Sequence, residues 1–166
     1  SFSSEAQYRD GFGPLTPGFD RVPFGDVEAL RSALDERAVA FLVEPIQARG
    51  GINVPPTGFL KMLRNVCDQL NALLVFDEIY TGFGRTGRMF AFEHENVVPD
   101  LLCVGKALSG ALPIAACLGP AELMEVWPES TGEAKHTSTF LGNPLACAAA
   151  IASLGEIERL DLPVRA

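Results

Sequence analysis

From Asp26 onward the chain alternates between helical periodicity and continuous apolar runs. Behind Asp26, whose carboxylate suits an N-cap, Val27, Leu30 and Leu34 recur at helical spacing, and Arg37 suits the last turn. Ala38 to Val43 is uninterrupted apolar sequence closed by Glu44-Pro45, which predicts a short parallel strand buried on both faces. The loop from Gly50 to Pro56 leads to Thr57, a candidate N-cap. Phe59, Met62, Leu63, Val66, Cys67 and Leu70 then line one face of a helix that Asn71 ends.

Ala72 to Phe76 predicts a second strand closing on Asp77-Glu78, and Leu101 to Val104 a third closing on Gly105-Lys106. Pro113 to Leu118 reads as a fourth, short strand. Ala121 to Trp127 and Asn143 to Leu160 read as helices, the second with Asn143 as its cap and Pro144 at its first position. The apolar stretch Ala146 to Leu154 belongs in the core. Residues 1–25, rich in Gly and Pro, carry no period and predict irregular chain. Strands alternating with helices give an α/β domain with a mostly parallel sheet. The motif-bearing core spans 38–160, and the whole reads as one domain or part of one.

Thirteen basic against twenty-one acidic side chains leave a net charge of −8, which excludes the clustered Lys and Arg of a nucleic-acid or membrane-surface protein. No apolar run is long enough to span a bilayer and no signal-peptide pattern opens the chain, so the expected location is the cytoplasm. Cys67, Cys103, Cys117 and Cys147 form no CxxC pair, and three of the four sit in apolar runs. They read as buried free thiols of a reducing compartment, and no metal site is expected.

Three successive apolar strands end in a charged side chain, Glu44, Asp77 and Lys106. A charge at one strand end is ordinary, because the middle of a buried strand cannot hold it cheaply. Three together, one of them a lysine, suggest a site, since ligands of open α/β sheets bind beyond the carboxyl ends of the strands. An amine and a carboxylate so placed suit pyridoxal phosphate (PLP), which needs a Schiff-base lysine and an acid to keep its pyridine nitrogen protonated. Another carbonyl-substrate enzyme, such as a Schiff-base aldolase, uses the same lysine. A nicotinamide-binding Rossmann domain is excluded, since no GxGxxG follows a first strand.

Four blocks sharpen this choice. Val43-Glu44-Pro45-Ile46-Gln47, Leu74 through Gly87 (LVFDEIYTGFGRTG), Pro99 through Gly110 (PDLLCVGKALSG) and His136 through Ala146 (HTSTFLGNPLA) resemble, in order, motifs of the class III aminotransferases. These are the ornithine, acetylornithine, 4-aminobutyrate and related enzymes of PLP fold type I. The resemblance implies the aspartate aminotransferase-like large domain, with one antiparallel strand in a mostly parallel sheet. It implies transfer of an amino group between an amine or (ω-)amino acid and a 2-oxo acid. Lys106 would form the Schiff base and shuttle the proton, Asp77 would pair with the pyridine nitrogen, and Ile79 would pack on one ring face. Glu44 would order the polar network around Asp77. Ser138 and Thr139 would donate to the phosphate of the neighbouring subunit's cofactor, so the expected state is a homodimer with a shared site. His136 would order that phosphate loop, whereas His94 reads as a surface residue.

Two positions depart from the family pattern. Tyr80 stands where Gln is common and reaches toward the cofactor's phenolic oxygen; its hydroxyl could do the same, or its ring could reshape the wall. Arg49 stands where the ornithine and 4-aminobutyrate branches carry an acid, so their dual-substrate device does not transfer intact, and Arg49 becomes a candidate for a substrate carboxylate. Aminomutases, racemases and decarboxylases share these motifs. The phosphate-binding Gly-Ser turn, the aromatic stacked on the other ring face and the carboxylate-binding arginine of the family are absent from the sequence. The chain is therefore expected to be an incomplete part of a longer enzyme, and a purely structural role is the alternative.

Overall fold

The computed structural model describes residues 3, 5–126, 131, 132 and 137–166. Four strands form one sheet in the order β1-β2-β3-β4: β1 (Ala40–Val43), β2 (Leu73–Asp77), β3 (Leu101–Val104) and β4 (Ala116–Leu118). The β1–β2 and β2–β3 pairs are parallel and β3–β4 is antiparallel, the arrangement expected from the sequence. Five helices accompany the sheet: α1 (Val27–Ala33), α2 (Phe59–Leu70), α3 (Ala121–Met124), α4 (Pro144–Arg159) and α5 (Leu162–Arg165). No helix among the described residues is long and apolar enough to cross a membrane.

The core lies between the sheet and α2. Leu74 and Phe76 of β2 and Leu102 and Val104 of β3 turn inward to meet Phe59, Leu60, Leu63 and Cys67 of α2, with Leu30 of α1 joining them. Two polar anchors set this packing. Asp100, just ahead of β3, accepts 2.7 Å hydrogen bonds from the Arg64 guanidinium of α2 and from the Leu74 amide of β2. Glu95 accepts from the Gly58 and Lys61 amides at 2.9 and 3.2 Å and so caps α2 from a distant segment.

Several sequence expectations shift. Thr57 is not the cap of α2; Gly58 occupies that position in a left-handed conformation, and the capping acceptor comes from Glu95. The first helix starts on Asp26, whose carboxylate accepts from the Ala29 amide at 2.9 Å, but ends at Ala33 because Leu34 is already extended. Arg37 pairs instead with Asp35. The first strand is parallel but not buried on both faces: only Val43 is buried, and Leu42 is 46% exposed at the sheet's edge. The fourth strand is shorter than Pro113–Leu118 and is exposed throughout. The third helix stops at Met124, and Trp127 lies outside the described residues. Asn143 caps α4 through the Ala146 amide at 3.0 Å, with Pro144 next, as the sequence indicates. Only one stripe of α4 is core: Ala146, Ala150 and Ile157 are buried, whereas Leu145 and Ile151 are exposed.

Beyond β2 the chain is organised by Glu78, which is fully buried. One carboxylate oxygen accepts from the Thr81 hydroxyl and the Ala91 amide, and the other from the Phe92 amide. The aromatic series Phe83, Phe90, Phe92 and Phe76 packs ring on ring at 5.4–6.2 Å and joins this loop to β2. Glu78→Gln keeps the size but turns one acceptor into a donor facing another donor. Leaving buried hydrogen-bonding groups unpaired costs about 1–3 kcal/mol. We expect the variant of the full-length protein to unfold several degrees earlier in a thermal melt; an unchanged midpoint would show that the carboxylate organises nothing.

Candidate functional site

The strand register brings the three predicted charges to one edge. Asp77 ends β2 and is paired with Cys103 of β3, three residues before Lys106. Glu44 follows Val43, the partner of Phe76. The half-buried Asp77 carboxylate accepts from the Ile79 amide at 3.0 Å through Oδ1, a short side-chain turn that fixes its direction. Oδ2 takes no hydrogen bond among the described residues, so its lone pairs are available to a donor. Ile79 packs on Gly105: a Cβ placed there would sit 3.4 Å from the Ile79 Cγ2. An apolar side chain thus packs on the residue that precedes the lysine.

Lys106 has φ 42°, in the left-handed region that side chains avoid. The surroundings hold it there. The Leu108 amide donates to the Gly105 carbonyl at 3.0 Å, and Ser153 of α4 donates to the Ala107 carbonyl at 3.2 Å. Leu108 and Ser109 are buried beneath the turn. Such a backbone persists only where the surrounding structure over-determines it. The Lys106 Nζ lies 5.1 Å from the centroid of the Tyr80 ring. Arg85 takes the same ring, with its Cζ 4.8 Å from the centroid, and donates from Nε to the Tyr80 carbonyl at 2.7 Å.

Glu78 is the site's hidden support. It directly follows Asp77 and holds the turn that carries Ile79 and Tyr80. Within that turn, a Cβ at Gly82 would stand 2.9 Å from the Glu78 carbonyl, so the backbone closes only around glycine. The sequence offered one signal for Glu78, a second acid at the end of an apolar strand, but its burial depends on Ala91 and Phe92, thirteen and fourteen residues away. A hollow of about 220 Å³ opens beside this turn, lined by Phe83, Arg85, Ala107 and the α5 residue Leu162. A larger hollow, about 660 Å³, lies between α1 and α2 and is lined by none of Glu44, Asp77 and Lys106.

The other candidates are placed as follows. Glu44 is half-buried and accepts from the Ala48 amide at 3.2 Å, tying down its own loop. Arg49 lies on that loop, donating to the Tyr8 hydroxyl at 2.7 Å with its guanidinium 5.4 Å from the Tyr8 ring centroid. Ser138 and Thr139 are exposed ahead of α4. That helix meets the Lys106 turn through Ser153, about three turns further along, so the structure does not bring the pair to Lys106. His94 is exposed and bonds to Thr86, as a surface residue does; His136 lies outside the described residues.

The thiols differ from expectation. Cys67 is buried and Cys103 and Cys147 are half-buried, but Cys117 is exposed, because β4 has no neighbour on its outer side among the described residues. Cys103 and Cys117 face each other across β3 and β4. Burial first, then the adjacent Cys117 thiol and the charge of Asp77, push the Cys103 thiol up to about 11. A raised value keeps the thiol protonated through the neutral range. In this chain, iodoacetamide at neutral pH should therefore modify Cys117 well before Cys103, whose rate should climb only as pH approaches 11. Equal labelling of both at neutral pH, read by peptide mass, would contradict this environment.

An amine beside an oriented carboxylate with a spare oxygen can condense with a carbonyl and hold a proton on a nearby basic nitrogen. The relatives are aminotransferases by name. The Staphylococcus aureus ornithine aminotransferase 2 is 51% identical over 166 residues, 99% of this chain and 41% of that enzyme. The Brevibacillus brevis ornithine aminotransferase is 52% identical over 155 residues, 93% of this chain and 38% of that enzyme. The chain thus spans about two fifths of the length of the curated relatives it matches. Among solved structures, the ornithine aminotransferase from Toxoplasma gondii, described with partial occupancy of PLP at its active site, superposes with a TM-score of 0.92 at 47% identity. That match covers 98% of this chain and 38% of the other. The acetylornithine aminotransferase from Elizabethkingia anophelis gives 0.84 at 45% identity, covering 91% of this chain and 39% of its own. The class-III aminotransferase family model matches residues 1–166, every position of the sequence, and the chain belongs to that family.

Proposed function

We propose that this chain carries the lysine-bearing part of the cofactor-binding domain of an enzyme that moves an amino group between an amine or ω-amino acid and a 2-oxo acid with PLP. One observation carries the reading: Asp77, with an uncommitted carboxylate oxygen, and the strained Lys106 stand on neighbouring strand ends, with Ile79 packed on the adjoining Gly105. The residues fit the cofactor's needs: an amine for its carbonyl, an acid for its ring nitrogen and an apolar surface for its ring. When bound, PLP supplies a carbonyl that takes up the amino group and a ring that draws electrons from the substrate carbon.

Lys106 would hold the cofactor through its amine and, as a free amine, would carry the proton to and from the substrate Cα. Asp77 would keep a proton on the ring nitrogen, and the Ile79 amide steadies its carboxylate. Glu44 fixes the neighbouring loop, and Ser138 and Thr139 serve the phosphate of a second subunit's cofactor. The exposed Phe140, Leu141 and Leu145 beside that pair support a homodimer, since apolar groups flanking polar ones are common at subunit contacts. Arg49, with only Nη2 committed to Tyr8 among the described residues, keeps donors for a substrate carboxylate.

Borohydride reduction of the full-length, PLP-loaded protein should fix a pyridoxyl group on Lys106; finding it on Lys61 or Lys135 would end the assignment. Asp77→Asn removes a charge-assisted hydrogen bond worth about 1.5–3 kcal/mol, so the single-turnover proton step should slow about 10- to 100-fold with cofactor retention less affected. An unchanged rate would rule out the role. Arg49→Ala should lower kcat/KM for one carboxylate-bearing substrate selectively. Equal losses for all substrates tested, or none, would leave Arg49 to loop packing with Tyr8.

A further inference from the structure

The ring of Tyr80 faces two cations, the Lys106 ammonium at 5.1 Å and the Arg85 guanidinium at 4.8 Å from its centroid. Its position is set from the backbone. Glu78 holds the turn on one side, and Arg85 grips the Tyr80 carbonyl at 2.7 Å on the other. The backbone of Lys106 is equally fixed, but its side chain is exposed and makes no ion pair among the described residues. A carboxylate partner would trap the ammonium in place. An aromatic face holds a cation weakly at an exposed site, and the permanent charge of Arg85 near the same ring weakens the hold further.

We propose that Tyr80 is a positioning residue for Lys106: its ring face, rather than its hydroxyl, receives the lysine amine whenever that amine is not covalently engaged, and Arg85 keeps the ring in place. This rests on the role proposed above for Lys106. The lysine has four rotatable bonds, and each turnover needs its amine back near one carbon. A weak, directional resting place limits where the released amine can wander without binding it too tightly to return. The substitution of Tyr for the Gln common in the family then adds a function of its own, beyond an oxygen near the cofactor.

The test uses full-length protein without cofactor, with Tyr80→Phe and Tyr80→Leu. Acetylation of Lys106 by acetic anhydride is measured against Lys61 in the same sample by peptide mass. Tyr80→Leu removes the ring, and the Lys106/Lys61 ratio should rise about two- to fivefold. Tyr80→Phe keeps the face and should match the parent ratio, a rescue that a hydroxyl role would not give. In the PLP-loaded protein, Tyr80→Leu should lower kcat more than it raises KM. If Phe behaves as Leu, or if Leu leaves the ratio unchanged, the proposal is overturned. Should borohydride place the cofactor on another lysine, the function proposed for Lys106 falls, while the acetylation ratio still reports whether the ring holds its amine.

Discussion

The structure turns on one buried carboxylate. Glu78 has no exposed surface, and its two oxygens gather the Thr81 hydroxyl and the Ala91 and Phe92 amides into one point directly after β2. A carboxylate out of water is tolerated only with such partners. By satisfying them, it bends the chain back over the sheet and sets the turn from Ile79 to Gly82. Everything at the candidate site that comes from β2 inherits this constraint. The direction of Asp77, the place of Ile79 against Gly105 and the aim of the Tyr80 ring all depend on it.

The second constraint is the parallel register. Neighbouring strands run about 4.8 Å apart, so charges at adjacent strand ends fall within a short reach of one another. Glu44 and Asp77 would repel there. Each is steadied by a backbone amide, Ala48 for one and Ile79 for the other, and Lys106 brings a positive charge to the same edge. The antiparallel return through β4 requires the chain to turn sharply after β3. The left-handed backbone at Lys106 is where that turn begins. Strain and the chemistry proposed for Lys106 therefore share one residue.

Much of this was legible in the amino-acid order, for identifiable reasons. Apolar runs closed by a charge are local signals, and β2, β3 and α4 lie where those signals put them. Asn71 and Asn143 act through their own backbone neighbours, so their roles could be read directly. What sequence reasoning missed was tertiary. Thr57 looked like a cap, but Glu95 supplies the acceptor from 37 residues away, and no local pattern reveals that. Ala38 to Val43 has the composition of a buried strand, yet burial depends on what lies beyond its edge, and Leu42 is exposed. Cys117 sits in an apolar run and is exposed for the same reason. Glu78 differs from Asp77 by one position, and only the fold sends one inward and leaves the other half-buried at the strand end.

The surroundings of Arg49 and Tyr80 have a common physical form. The chain contains two tyrosines, and each lies against cations at the carboxyl edge of the sheet. Tyr8 meets Arg49 with both its hydroxyl and its ring. Tyr80 meets Lys106 and Arg85 with its ring. An aromatic face accommodates a guanidinium without adding a carboxylate that would compete with Asp77 or trap Lys106.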